Sequence, residues 1–263
     1  MAINFSKLFL SLSVAFTAPL ALSTQAQAYS LFFGEDLNSS EFNPLAATPN
    51  ANAAEADFLS NLVGVGTEDF EGFTTGAGTP LNLAFPGAGT ATLTGGGAID
   101  SVIPGTAING RYGTSGSNFF EVTAGGANNF RIDFSEAIAA FGFFGIDIGD
   151  FGGQLELELG LVGGATETII VPNTLGSNAS TGGSVLFQGL IADNSDEEFI
   201  SVSFLTSTGM GDVFGFDDFT IGSREQVQPN PEPTSVPEPA SILGLLIIGA
   251  LGLSTTAVKR KVA

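Results

Sequence analysis

Alternating apolar and polar positions recur through the middle of the chain and predict β-strands. Two segments, Leu155-Glu156-Leu157-Glu158-Leu159 and Phe130-Arg131-Ile132-Asp133-Phe134, have a period of two residues. This period turns the apolar side chains to one face of a strand. About twelve such segments, roughly 8–12 residues apart and separated by Gly-rich turns, are typical of an all-β, jelly-roll-like sandwich. The predicted strands are Thr67–Phe73, Leu81–Phe85, Thr90–Thr94, Ile99–Ile103, Asn118–Thr123, Asn129–Phe134, Ile138–Asp147, Leu155–Leu161, Glu167–Val171, Ser184–Leu190, Phe199–Leu205 and Val213–Ile221.

One short helix is predicted ahead of these strands. Within Asn52–Leu62, apolar side chains recur at positions i, i+4 and i+8, which places them on one helical face. Thr48-Pro49 just before it resembles an N-cap followed by proline at the first helical position. Ser30–Ala47 shows neither helical nor strand periodicity and is expected to form an irregular arm. Asn109-Gly110 predicts a tight hairpin turn.

The N-terminal segment, residues 1–28, has the pattern of a secretory signal peptide. Lys7 provides a short basic region, Leu8–Leu22 is apolar, and Ala26-Gln27-Ala28 matches a cleavage site. The sequence therefore predicts an exported domain, residues 29–225, that works outside the cytoplasm.

A second apolar segment lies near the C-terminus and predicts a transmembrane helix, residues 241–258. Ser241–Val258 carries no charge, and a helix of this length spans about 27 Å, close to the thickness of a bilayer core. The cluster that follows, Lys259, Arg260 and Lys261, should stay cytoplasmic as a basic anchor. A Pro-rich linker, residues 226–235, precedes this tail and should be extended.

The C-terminal tail, residues 236–263, resembles a PEP-CTERM sorting signal. The motif Val236, Pro237, Glu238 and Pro239 precedes the apolar helix and its basic cluster. The resemblance implies recognition by an exosortase-type processing enzyme, membrane anchoring with the domain outside, and then release to the cell surface or beyond. In some family schemes the tail is called an ice-binding protein C-terminal domain, a name that implies nothing about ice here. A plain membrane anchor with a Pro-rich stalk is the alternative.

The central region also resembles a recurrent, uncharacterised ectodomain of PEP-CTERM proteins. The resemblance rests on the aromatic, Gly-rich segments 139–151 and 213–222. More distantly, Glu68-Asp69-Phe70-Glu71 and Phe216-Asp217-Asp218-Phe219 resemble MAM-like and carbohydrate-binding jelly rolls. In those folds the first and last strands lie side by side and share a cation. This likeness implies a calcium site made by Asp69, Glu71, Asp217 and Asp218. Two solvated edge strands protected by charge are the alternative.

Composition and charge exclude several functions. The chain has no cysteine, histidine or tryptophan, which removes thiol nucleophiles, Ser-His-Asp triads and His-ligated zinc. Between Tyr29 and Val236, 26 acidic residues stand against three arginines. Such a surface repels phosphate backbones, so no nucleic-acid partner is expected.

The remaining candidate chemistry is carbohydrate-related. The loops Arg111–Asn118 and Gly176–Gly183 are rich in small polar residues that could bind sugar hydroxyls, although flexible surface loops share this composition. Asp147 and Asp150 flank Gly149 in a predicted turn, where a capping role is expected. The sequence favours a non-catalytic structural, adhesive or exopolysaccharide-associated module with no catalytic residues. A secreted hydrolase that uses carboxylates is the alternative.

Overall fold

In residues 28–177, 180–207 and 211–228, which a computed structural model describes, the chain forms thirteen strands and one α-helix. The helix, α1, is Pro49–Ser60. The strands are β1 Tyr29–Asp36, β2 Gly66–Glu68, β3 Leu81–Phe85, β4 Gly89–Gly95, β5 Ala98–Ser101, β6 Asn118–Thr123, β7 Phe130–Ile138, β8 Ala140–Ile146, β9 Gln154–Leu161, β10 Thr166–Ile170, β11 Val185–Ala192, β12 Phe199–Ser207 and β13 Val213–Gly222.

The strands form two antiparallel sheets, which confirms the predicted all-β sandwich. The first sheet has the order β1-β11-β8-β13-β6-β5, with β2 also paired to β13, and the second has the order β10-β9-β12-β7-β4-β3. The predicted signal peptide up to Gln27, and the tail from Pro229 onward, lie outside the described part of the chain and stay predictions. No helix in the described part is long and apolar enough to cross a membrane.

Phenylalanines fill the space between the two sheets. Phe204 of β12 lies among Phe130, Phe143, Phe216 and Phe219, with ring centroids between 4.2 and 5.8 Å apart. Each of these side chains is fully buried. Because aromatic pairs add to the free energy gained from burial alone, this cluster ties the two sheets together without tryptophan.

The helix covers the outer face of the first sheet and makes a second hydrophobic cluster. Phe58 of α1 packs on Gly142 of β8 and Gly189 of β11, which are paired residues. A Cβ atom at either glycine would lie 2.8 Å from the Phe58 ring, closer than such contacts allow. The two paired glycines therefore allow the Phe58 ring, and with it the helix, to lie close to the sheet.

The N-terminal arm prediction is wrong, because part of Ser30–Ala47 is strand. Tyr29–Asp36 pairs antiparallel with the whole of β11. The helix begins at Pro49 after Thr48, but the Thr48 side chain makes no cap hydrogen bond. The carboxylate of Asp36 at the end of β1 accepts from the backbone N–H groups of Asn50 and Ala51, at 3.0 and 2.9 Å. A distant side chain thus caps α1.

Candidate functional site

A β-bulge in β13 places two acidic side chains together. The register against β8 shifts between Asp217 and Thr220, and Asp218 has a φ of 50°, a left-handed conformation rare outside glycine. Phe216 and Phe219 both lie in the core, although residues three apart in a regular strand face opposite sides. The extra residue of the bulge allows both phenylalanines to face the core. It leaves Asp217 and Asp218 beside the loop 113–118.

Asp217 holds that loop through its carboxylate. Its Oδ2 accepts hydrogen bonds from the backbone N–H groups of Thr114 and Ser115, at 2.8 and 3.2 Å. Its Oδ1 accepts from the N–H of Asp218 at 2.8 Å. The side chain has no exposed surface, so burial, with the adjacent Asp218, raises the pKa of Asp217 well above its usual value.

The hydroxyl of Thr114 lies between the two carboxylates. Its Oγ1 is 3.1 Å from Oδ2 of Asp217 and 2.9 Å from Oδ2 of Asp218. A hydroxyl carries one hydrogen, so it donates to one of these oxygens at a time. Ser115 Oγ lies 2.7 Å from Oδ1 of Asp218. Burial raises the pKa of Asp218, and these hydroxyl contacts oppose the rise.

Glu71 fastens the other end of the same loop. Its Oε1 accepts from the backbone N–H groups of Ser117 and Asn118, each at 2.6 Å. Gly116 allows this approach, because a Cβ there would collide with the Glu71 carboxylate. The predicted strand Thr67–Phe73 ends early, since β2 stops at Glu68. Glu71 therefore reaches the loop from a turn.

The structure brings the four acids predicted to bind calcium into one neighbourhood. β2 pairs antiparallel with β13, with Glu68 opposite Phe219, as expected for these strands, although Asp69 and Glu71 lie in the turn after β2. Asp69 and Glu71 both act electrostatically on Asp218. Among the described residues, however, no three acidic side chains are gathered so that they could hold a metal ion. The calcium site stays a prediction.

A groove of about 520 Å³ opens beside the loop 113–118, on the same face of the first sheet as α1. Its walls come from the segment before the helix, the helix itself, the segment 102–106 and the loop after Arg111. Asp218 contributes from β13. The lining residues are Pro44, Leu45, Ala46, Ala47, Thr48, Asn52, Glu55, Val102, Pro104, Gly105, Thr106, Tyr112, Gly113, Thr114, Gly116, Phe144, Val185 and Asp218.

Two carboxylates face this groove from opposite elements. Glu55 lies on α1 and is half-buried, and Asp218 lies on β13. Burial, together with the charge of Asp218, raises the pKa of Glu55. Glu55 could not be identified from the sequence, because the helical period shows which residues of α1 face the sheet but not which residues lie beside the helix.

Further acidic side chains lie near Arg111, at the end of the turn Asn109-Gly110. The guanidinium lies 2.9 Å from Glu121 and 3.8 Å from Asp147. Asp147 and Asp212 are both buried, and burial raises the pKa of each to about 7. Oδ2 of Asp212 has no hydrogen-bond partner among the described residues. These residues form a second cluster of ionisable groups.

Asp147 connects this second cluster to the groove. Its Oδ1 accepts from the N–H of Gly183 at 2.7 Å. The Gly183 carbonyl accepts from the Tyr112 hydroxyl at 3.0 Å, and that hydroxyl accepts from the N–H of Leu45 at 3.2 Å. Asp150 accepts from the next N–H, that of Phe151, at 3.0 Å, which is the local capping expected of this turn, whereas the contact of Asp147 with Gly183 is long-range. The chain of contacts fixes two residues of the groove wall.

Of the two predicted polar loops, one reaches the groove. Tyr112, Gly113, Thr114 and Gly116 of the first loop line it, whereas no described residue of Gly176–Gly183 does. The Asn109-Gly110 turn connects Ile108 to Arg111, and these two residues pair as an isolated antiparallel bridge. The predicted tight turn is therefore confirmed.

No family model and no curated protein matches the sequence. Similar solved structures include the K2 cleaved adhesin domain of Lys-gingipain, 16% identical over 59% of this chain and 96% of that chain, with a TM-score of 0.35. The C-terminal family 22 carbohydrate binding module of Clostridium thermocellum Xyn10B is 16% identical over 61% and 94%, with a TM-score of 0.36. The CBM22-1 xylan-binding domain from Paenibacillus barcinonensis Xyn10C is 14% identical over 62% and 94%, with a TM-score of 0.35. A likeness at this level says nothing about what this chain binds.

Proposed function

We propose that this chain is an exported, non-catalytic module that binds a polysaccharide in the groove beside α1. The observation that carries the proposal is the lining of the groove. The apolar residues Leu45 and Phe144 line it together with the polar residues Thr106, Thr114 and Asn52. Sugars have apolar C–H faces edged by hydroxyls. The apolar residues of the groove can contact the C–H faces, and its polar residues can bind the hydroxyls.

The size and shape of the groove agree with this ligand. Its volume of about 520 Å³ falls in the range of small-ligand sites, about 300–1,000 Å³. The loop that forms one wall is held at both ends, by Asp217 and by Glu71. A wall fixed before binding reduces the entropy lost when a ligand binds.

A carboxylate-dependent hydrolase is the second candidate, favoured by Glu55 and Asp218 facing one groove. Hydrolysis of a glycosidic bond needs one carboxylic acid with a raised pKa and one carboxylate to act as nucleophile or base. Both Asp218 oxygens already lie within hydrogen-bond distance of loop hydroxyls. These contacts indicate that Asp218 positions the loop. A carboxylate with this role favours a binding module over a hydrolase.

Incubation of the purified protein with a panel of insoluble polysaccharides tests these two candidates. We expect the protein to be retained on at least one polymer with no reducing sugar released. Release of sugar, abolished in Glu55→Gln, would instead establish the hydrolase. Failure to sediment with any polymer would refute glycan binding.

We also propose that the C-terminal tail sorts the protein, with Pro237, Glu238 and Pro239 as its recognition element. Replacing all three residues with alanine in the native host should leave the protein uncut and held in the membrane. The mass of the mature C-terminal peptide measures this directly. A tail still removed at the same position in the variant would contradict the recognition role.

A further inference from the structure

The three arginines in the described part of the chain are all engaged in ion pairs. Arg111 pairs with Glu121 at 2.9 Å, Arg131 with Asp133 at 2.7 Å and Arg224 with Glu198 at 3.0 Å. This part of the chain contains no lysine, and the protein has no histidine. The groove is thus lined without a basic side chain.

Negative charge concentrates around the groove instead. Glu55 and Asp218 line it from opposite elements, and Asp218 also feels the charges of Asp69 and Glu71. Each ionised carboxylate opposes the ionisation of its neighbours. A cation placed between Glu55 and Asp218 would relieve that repulsion, and an anion would add to it.

We infer that the groove selects polysaccharides that carry free amines over neutral ones, and rejects polymers of uronic acids. This inference rests on the proposed function, because it names the class of sugar that the same groove would take. A protonated amine has three donors and no acceptor, so it can donate to a carboxylate of the groove and to neighbouring oxygen atoms at the same time. The neighbouring Thr and Asn side chains would then bind the sugar hydroxyls, which all three polymer classes share.

The selection should depend mainly on Glu55. Both oxygens of Asp218 already lie near the hydroxyls of Thr114 and Ser115, whereas Glu55 projects from the helix on the other side of the groove. Charge complementarity of this kind governs specificity more than total affinity, and salt weakens it.

Three oligosaccharides of equal length test the inference: a glucosamine oligomer with free amines, its N-acetylated counterpart, and an oligogalacturonate. Binding is measured by calorimetry at about pH 6, where most of the sugar amines are protonated. We expect the free-amine oligomer to bind about tenfold more tightly than the acetylated one at low salt. The difference should shrink as salt rises, and the uronate should not bind.

The variant Glu55→Gln should remove that difference, with the free-amine oligomer falling about tenfold to the affinity of the acetylated one. Asp57→Asn, an exposed acid on the same helix, is the matched control and should change neither affinity. Equal binding of the free-amine and acetylated oligomers to the unaltered protein would overturn the inference and leave the proposed function standing. Retention of the protein on some other polymer, with no binding of these oligomers, would also overturn the inference and leave the proposed function standing. A blank result with every polymer and oligomer would overturn the proposed function and this inference with it.

Discussion

Replacing Asp217 with alanine should lower the free energy of unfolding by about 2–4 kcal/mol and abolish glycan binding. The change removes the acceptor for three backbone N–H groups, those of Thr114, Ser115 and Asp218, and a buried donor left without a partner costs about 1–3 kcal/mol. The total is smaller than the sum, because these three contacts are only partly buried and because the buried charge of Asp217 is itself unfavourable. For a domain of this size the melting temperature should fall by about 5–10 °C.

Thermal unfolding followed by circular dichroism measures the first effect and calorimetry with a bound oligosaccharide the second. Asp133→Ala is the matched control, because Asp133 is exposed and its ion pair with Arg131 lies at the surface, where such pairs contribute about 0–1 kcal/mol. Asp217→Asn keeps one acceptor oxygen, so its melting temperature should lie between those of Asp217→Ala and the control. If Asp217→Ala melts with the control and still binds sugar, Asp217 does not hold the groove wall.

Replacing Asp212 with asparagine should stabilise the protein at pH 8 and flatten its dependence on pH. Burial raises the pKa of Asp212 in the folded protein to about 7, above about 3.9 for an unfolded chain. The folded state therefore holds more protons between these values, and stability falls as the pH rises from about 4 to 7. The loss is on the order of 2–4 kcal/mol at pH 8.

Asparagine keeps an oxygen for the Val213 N–H, which Asp212 bonds at 2.8 Å, and removes the buried charge. Melting temperatures at pH 5 and pH 8 should therefore differ by several degrees less in Asp212→Asn than in the unaltered protein. Asp133→Asn serves as the control for loss of an acid at the surface. If both variants show the unaltered pH dependence, the charge of Asp212 does not set it. Asp147 has a similarly raised pKa of about 7 and should account for part of the remaining slope.

Strands with one face in the core could be predicted from the sequence. The positions and ends of strands that are covered on both faces were harder to predict. The alternation in Leu155–Leu161 and around Ile132 gave β9 and the start of β7. In β1, by contrast, Phe32 packs against the helix and Phe33 against the core between the sheets. Apolar contacts on both faces erase the period of two, and the segment therefore looked irregular.

The bulge at Asp217 and Asp218 can be predicted from the spacing of two phenylalanines. Two core phenylalanines, Phe216 and Phe219, stand three residues apart in a predicted strand, and a regular strand cannot bury both on one side. That spacing requires an extra residue in the strand. It would have indicated that the two acids lie on the same side.

The groove itself could be predicted only in part. The loop after Arg111 was singled out for its small polar residues, and its Tyr112 and Thr114 do line the groove. Glu55 and the segment before α1 could not be placed, because their position depends on how the helix seats on Gly142 and Gly189. That seat is a tertiary contact between residues far apart in the chain.

Hydrogen exchange of the backbone amides, with and without a bound oligosaccharide, tests the groove as the binding site most directly. We expect slower exchange in residues 112–116 and in the first turns of α1 when sugar is bound. Exchange in β4 and β7 of the second sheet should stay the same. Slower exchange confined to the second sheet, with residues 112–116 unchanged while sugar is bound, would contradict the account.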